Sequence, residues 1–221
     1  SNMGKKHRHR SPENVVEEVL FHQQASGINN FSFKDSIFNL RKNDTIGFCE
    51  LLLEKNININ WVCNSRVDTL DADLVQIMAK AGCKVINFGV ESMSTDVLKL
   101  MNKKNSIEMV SKSFKMCRDV KIATTAYYMV GNEGETMDSY FEGLDQLIAE
   151  NPTLAGFSIS TAYPGTEHYY KAVQAGVLKD PEWYNCFEKA DSTGGYSELL
   201  GFTIEEQRQA AKNSTARLFF R

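Results

Sequence analysis

Proline is scarce, at 4 in 221 residues, and no apolar run approaches the ~20 residues that a membrane span requires. No secretory signal is visible either. Cysteine is present but unpaired in pattern: Cys49, Cys63, Cys83, Cys117 and Cys186 follow one another at steps of 14, 20, 34 and 69 residues, with no CxxC or CxxxC. An odd count without a framework reads as reduced thiols in a cytoplasmic protein, each a small buried apolar residue. His7, His9, His22 and His168 form neither HxxxH nor HExxH, so no local metal motif is left. A positive excess is missing too. The 25 Lys and Arg against 28 Asp and Glu give a net charge of −3, which argues against a nucleic-acid partner. No GxGxxG or GxxxxGK[ST] follows an apolar segment, so the nucleotide-binding open sheets lose their usual fingerprint.

What is there is a globular composition, 42% hydrophobic and 24% charged. The length suits one domain or two small ones, able to bury about 70% of the extended-chain surface without disulfides or metal. Ser1-Asn2 reads as the scar of a cleaved tag. Residues 1–10 form a basic lead-in, Lys5-Lys6-His7-Arg8-His9-Arg10. Solvation is its first reading and a phosphate or cofactor contact the second.

From residue 11 the chain reads as alternating helices and strands. Ser11 caps a helix with Pro12 at its first position, Val15, Val16, Val19 and Leu20 on its apolar face, and Gly27 at its end. Strand-like runs begin near Asn29, Ile57, Lys84, Ile122 and Leu154, rich in β-branched and aromatic residues. Between them Asp71, Ser94, Ser106 and Thr136 each precede an apolar helical face, and Thr203-Ile204-Glu205-Glu206 opens a last helix towards Phe219. Such alternation specifies parallel strands with right-handed crossovers, in a doubly wound sheet or a TIM-like barrel. Without the nucleotide fingerprint the barrel, or part of one, is expected. Residues 11–170 then form the barrel, and 171–221 a C-terminal extension packing on it. Within that extension the stretch 178–201, with Pro181 and Gly194-Gly195, is irregular.

Parallel barrels gather their chemistry at the C-terminal strand ends. Here those ends read Lys34-Asp35-Ser36, Asn64-Ser65-Arg66, Glu91-Ser92, Gly131-Asn132-Glu133 and Thr161-Ala162-Tyr163. Polar residues at a strand end also simply mark the surface, and the two readings stand together. As a site, Asp35 and Glu91 accept from an ammonium or from ribose hydroxyls, and Arg66 offers a fork to a carboxylate. Gly131, Gly134 and Gly165 let backbone approach a flat ligand. An amino-acid-like group joined to something planar fits that set.

Five runs in order carry a resemblance: Trp61 to Asp68 (WVCNSRVD), Ala81 to Ser92 (AGCKVINFGVES), Val97 to Lys103 (VLKLMNK), Gly131 to Thr136 (GNEGET) and Tyr163 to Thr166 (YPGT). Over roughly Arg10 to Tyr170 the chain resembles the radical S-adenosylmethionine enzymes. Within them it is similar to the cobalamin-associated branch that includes the anaerobic magnesium-protoporphyrin monomethyl ester cyclase. The resemblance implies an α/β fold, a partial TIM-like barrel of parallel βα units. About five of the family's six are present, with a C-terminal helix. It implies S-adenosylmethionine and a 4Fe–4S cluster as cofactors of the full-length enzyme, with cobalamin left open. The chemistry implied is reductive cleavage to a 5′-deoxyadenosyl radical that abstracts hydrogen, in an oxidoreductase, a cyclase or a methyltransferase.

By the same resemblance Asp35 lies near the methionyl amine, and Ser65 and Arg66 form a wall of the methionyl pocket. Glu91 contacts the methionine or ribose part. Lys103, 12 residues on, is a carboxylate ligand or a solvated lysine at a helix end. Gly131 and Gly134 belong to a GxPGET-like turn on the adenine side, where Glu133 replaces the usual proline. Thr136 reads as a helix cap.

No CxxxCxxC is present, so the chain resembles the barrel without its cluster loop and is expected to be inactive alone. A small-molecule substrate and a flavodoxin or ferredoxin reductant are implied for the full-length enzyme, with neither nucleic acid nor membrane. A missing first strand leaves an edge that invites dimerisation. The rival is a non-catalytic barrel serving as a binding or scaffold module. An aldolase-like or phosphate-binding barrel would need a lysine or phosphate loop in the last strands, which end in Ser160-Thr161-Ala162-Tyr163. Trp183, Tyr184, Phe187 and Tyr196 line a substrate pocket or pack the final helix.

Overall fold

The computed structural model describes residues 8–176 and 203–219. Cys186 and the aromatic set Trp183, Tyr184, Phe187 and Tyr196 lie outside the described residues, as do Ser1 to His7. Five strands, β1 (Asn30–Ser32), β2 (Asn60–Ser65), β3 (Cys83–Glu91), β4 (Ala123–Val130) and β5 (Leu154–Ile159), pair in chain order. Every pairing is parallel. The helices are α1 (Pro12–Ser26), α2 (Lys42–Glu54), α3 (Ala72–Lys80), α4 (Thr95–Leu100), α5 (Ile107–Asp119), α6 (Met137–Ala149), α7 (Glu167–Gln174) and α8 (Ile204–Phe219). The strands curl into part of a TIM-like barrel, the one expected of the two architectures that the alternation allows.

Caps read from the sequence set most helix starts. The hydroxyls or carboxylate of Ser11, Asp71, Ser94, Ser106 and Thr136 each accept a first-turn backbone N–H. Gly27 ends α1 at φ 65°, the left-handed stop that glycine makes cheap. Thr203 and Glu206 form the expected reciprocal box at the start of α8. Two helices carry no expectation from the sequence. α2 starts at Arg41 without a side-chain cap, so it has no sequence flag, while Thr166 does cap α7. β2 starts at Asn60, not Ile57. Ile57 and Ile59 are buried, but Ile57 turns its N–H back to Leu52 and so belongs to the α2–β2 connection.

The sheet has two unlike faces. One packs against the helices through Trp61, Cys63, Ile86, Phe88, Ala126 and Tyr128, all buried. Around Trp61, the rings of Phe33, Phe38 and Phe48 lie 4.7–5.8 Å from it or from one another, and the indole N–H donates to the Ala81 carbonyl at 2.8 Å. α8 joins this layer, its Ser214 hydroxyl 2.8 Å from the Tyr140 hydroxyl of α6.

The other face carries no helix among the described residues and is ordered in layers by the register. Val62, Val85 and Ala123 lie side by side, then Asn64, Asn87, Thr125 and Leu154, then Gly89, Tyr127 and Gly156. None of these is fully buried. This is the barrel's inner surface, and its top layer leads to the strand ends.

Candidate functional site

The geometry is most specific at the end of β3. A bulge shifts the β3–β4 register between Gly89 and Glu91, and Glu91 is held at φ 66°. A left-handed glutamate is strained by ~1 kcal/mol or more, and such residues cluster where function demands them. The bulge turns the carboxylate back over the inner face, so that a side chain at Gly89 would meet Glu91 Oε1 at 2.7 Å. Lys103 meets the same oxygen at 3.0 Å. Asn105 takes the Gly89 carbonyl at 3.2 Å. Thus the α4–α5 connection supplies both the cation and the amide that hold the bulge. Lys103 is therefore not a lone solvated lysine: the structure brings two of the sequence-predicted residues into one half-buried ion pair.

The other strand ends behave differently. Ser65 is buried and faces the helices, where its hydroxyl donates to Asn39 Oδ1 at 2.7 Å and stands 3.3 Å from the Thr69 hydroxyl. The Arg66 fork is filled by Asp68, at 2.8 and 2.7 Å. That pairing holds the Asp68 carboxyl below the ordinary carboxylate range. Asp35 is exposed, and its carbonyl accepts from Asn64 Nδ2 at 2.9 Å, while Asn64 Oδ1 accepts from Asn87 at 3.1 Å. An amide relay thus ties the loop after β1 to the middle of β3. A cavity of about 670 Å³ beside the β1 edge is lined by Asp35, Phe31, Phe33 and Arg10, but by neither Arg66 nor Glu91. The three charged strand ends share one rim without sharing that cavity. In the lead-in, Arg10 pairs with Glu18, and His9 stands 3.2 Å from Asp44. Its described part is thus engaged by α1 and α2.

After β4 the chain turns through Gly131 (φ 82°) and Gly134 (φ 79°). A side chain at Gly131 would meet Gln207 at 2.9 Å, and one at Gly134 would overlap the side chain of Leu100. Both glycines therefore answer to packing within the chain. Glu133, standing in the proline position, is pinned by Lys171 of α7 at 2.8 Å, which restores stiffness from outside the turn. Glu135 closes the turn from inside. Its Oε2 accepts the N–H of Gly131 at 2.8 Å and of Asn132 at 3.2 Å, while Oε1 is buried without a hydrogen-bond partner. Burial pushes its pKa up to about 7 against two lowering backbone bonds.

The sequence assigns no role to Asn64, Asn87, Asn105, Tyr127 or Glu135. The signal for the strand asparagines was available, since a parallel strand covered on both faces reads as a continuous apolar run, and β2 and β3 do not.

A 4Fe–4S cluster needs neighbouring thiolates. Cys49, Cys63, Cys83 and Cys117 are all buried, and they belong to the helix side, away from the strand-end rim. Burial pushes the Cys49 and Cys117 thiols up to about 12 and that of Cys83 higher still. No group of three metal-ligating residues forms among the described residues. These thiols do not fit a cluster. No helix of the described residues is long and apolar enough to cross a membrane.

The chain is 26% identical over 203 residues to an uncharacterised methyltransferase of Pyrococcus horikoshii, covering 92% of this chain and 43% of that one. It is 26% identical over 181 residues to the anaerobic magnesium-protoporphyrin IX monomethyl ester cyclase of Rubrivivax gelatinosus, covering 81% and 33%. It therefore spans a third to under a half of these curated relatives. In fold it is similar to the radical S-adenosylmethionine methyltransferase TsrM of Kitasatospora setae, solved with cobalamin and a [4Fe-4S] cluster bound. The TM-score is 0.63 at 22% identity, over 68% of this chain and 29% of that one. The sequence profile of the Radical SAM superfamily matches residues 1–147, and the chain belongs to that superfamily, whose members use S-adenosylmethionine and a 4Fe–4S cluster.

Proposed function

We propose that this chain is the S-adenosylmethionine-binding part of an enzyme that works on a small, ring-bearing molecule by radical methyl transfer or ring closure. The observation that carries this reading is the Glu91–Lys103 pair, turned onto the inner face by a strained bulge. A carboxylate and an ammonium side by side complement a zwitterion such as the methionyl end of the cofactor. Glu91 accepts from its amine or from the ribose hydroxyls, and Lys103 meets its carboxylate. Asp35, at the next strand end but one, adds a second anion near the amine, and between them stands Arg66, its fork held by Asp68, while Ser65 turns to the helix side and supports the wall from behind. Gly131 and Gly134 shape the adenine-side turn.

The chemistry the family's cofactors supply is a 5′-deoxyadenosyl radical for hydrogen abstraction, fed by an electron from a flavodoxin or ferredoxin. The part played by this chain's residues is binding and orientation. Since the described thiols do not fit a cluster, this stretch alone is proposed to be inactive. Anaerobic reconstitution is then expected to load far less than one 4Fe–4S cluster per chain and to release no 5′-deoxyadenosine, and stoichiometric loading would overturn that. A scaffold module would keep the barrel but has no use for a strained, paired Glu91.

The direct test is ¹⁵N NMR of the chain with S-adenosylhomocysteine at millimolar concentration, which detects weak binding without iron. Perturbed amides at 89–92 and 131–134, lost in Glu91→Gln, support the reading. Perturbations confined to α1 and α2, or none, would sink it.

A further inference from the structure

Gly89, Tyr127 and Gly156 occupy one register on three neighbouring strands, so their side-chain directions share the inner face about 4.8 Å apart. Both glycines are overlaid by side chains from elsewhere on that face. The Glu91 carboxylate lies over Gly89, and a side chain at Gly156 would meet Tyr127 Cδ1 and Cε1 at 3.0 and 3.2 Å. The tyrosine ring is therefore propped on the bare backbone of β5, one strand away from the Glu91–Lys103 pair. It stays 44% exposed, while its neighbour Tyr128, on the helix side, is 0% exposed.

The face around it is divided in two. The β2–β3 half presents Asn60, Asn64, Asn87 and Glu91, with Val62 and Val85 between them. The β4–β5 half presents Tyr127, Met129 and Leu154, the last 46% exposed, beside Thr125 and Ser158. Amides and a carboxylate on one side and a supported aromatic ring on the other fit two ligand parts, one zwitterionic and one flat. We propose that Tyr127 is the shelf on which a planar, conjugated ring of the substrate stacks, with its edge towards Glu91. This rests on the reading above only in taking the inner face as the ligand side. Gly156 is the matching specificity element, since any side chain there would tilt the shelf.

The test uses protoporphyrin IX as the flat probe, followed by its absorbance band, and adenosine followed by ¹⁵N NMR, with the whole chain. Tyr127→Ala is expected to weaken porphyrin binding about tenfold, whereas Tyr127→Phe keeps it within about twofold, because the face and not the hydroxyl does the stacking. Adenosine-induced shifts are expected to be unchanged in both variants. Equal porphyrin affinity in the native chain and Tyr127→Ala overturns the shelf. So does a loss confined to adenosine, which would give the ring to the cofactor's purine. If porphyrin binding depends on Tyr127 while S-adenosylhomocysteine leaves residues 89–92 undisturbed, the cofactor reading fails and the shelf stands.

Discussion

Glu135 keeps a carboxyl where water does not reach, and the consequence is a pH dependence of opposite sign to that of ordinary surface acids. Its pKa rises from 4.5 to about 7 on folding. Between those values the folded chain holds a proton that the unfolded chain has lost, so stability falls as pH rises through that window and levels off above it. At 1.36 kcal/mol per unit the loss is at most about 3 kcal/mol. Glu135→Gln keeps an acceptor for the Gly131 and Asn132 amides and removes the charge. Its thermal midpoint is expected to be flatter between pH 5 and 8 than that of the native chain, and above it at pH 8. Parallel profiles would contradict the buried proton. Glu91 and Lys103 could be named from the sequence because a motif marked them; Glu135 stood in the GNEGET run without a role, and Tyr127 lay outside every run. Burial and the face of a strand are properties of the packed sheet, and a Glu in a Gly-rich turn looks solvated until Gln207 and Leu100 close over its glycines.

At the level of elements, the sequence disclosed those that are punctuated by capping residues. α1, α3, α4, α5, α6 and α8 all begin at a side chain whose reason for being there is hydrogen bonding. α2, with Arg41 at its start, is held by tertiary burial of Phe48, Cys49 and Leu52 and so left no mark. The bulge in β3 was equally invisible, because it depends on Asn105 reaching back from the α4–α5 connection. Asn105→Ala leaves the Gly89 carbonyl without that donor, and destabilisation of about 1 kcal/mol is expected. Faster amide exchange at residues 89–91, measured by mass spectrometry, should accompany it. Unchanged exchange there would mean that the bulge stands without its amide.

For the whole molecule, five parallel strands in chain order leave β1 with an outer edge that no described strand covers. Open edges recruit other strands. Self-association that grows with concentration is expected in sedimentation velocity, and Ser32→Pro should reduce it. Phe33 donates its N–H to Val62, so by alternation the N–H of Ser32 points outward, and its loss spares the β1–β2 ladder. A native chain that stays monomeric at high concentration would rule the edge out as a contact.

The same ordering has a kinetic meaning. Each strand pairs with the one before it, so as the chain leaves the ribosome every new βα unit finds its docking partner already made. Growth proceeds from one end by short loop closures. A stalled nascent chain that has exposed only its first units should therefore already protect them from protease.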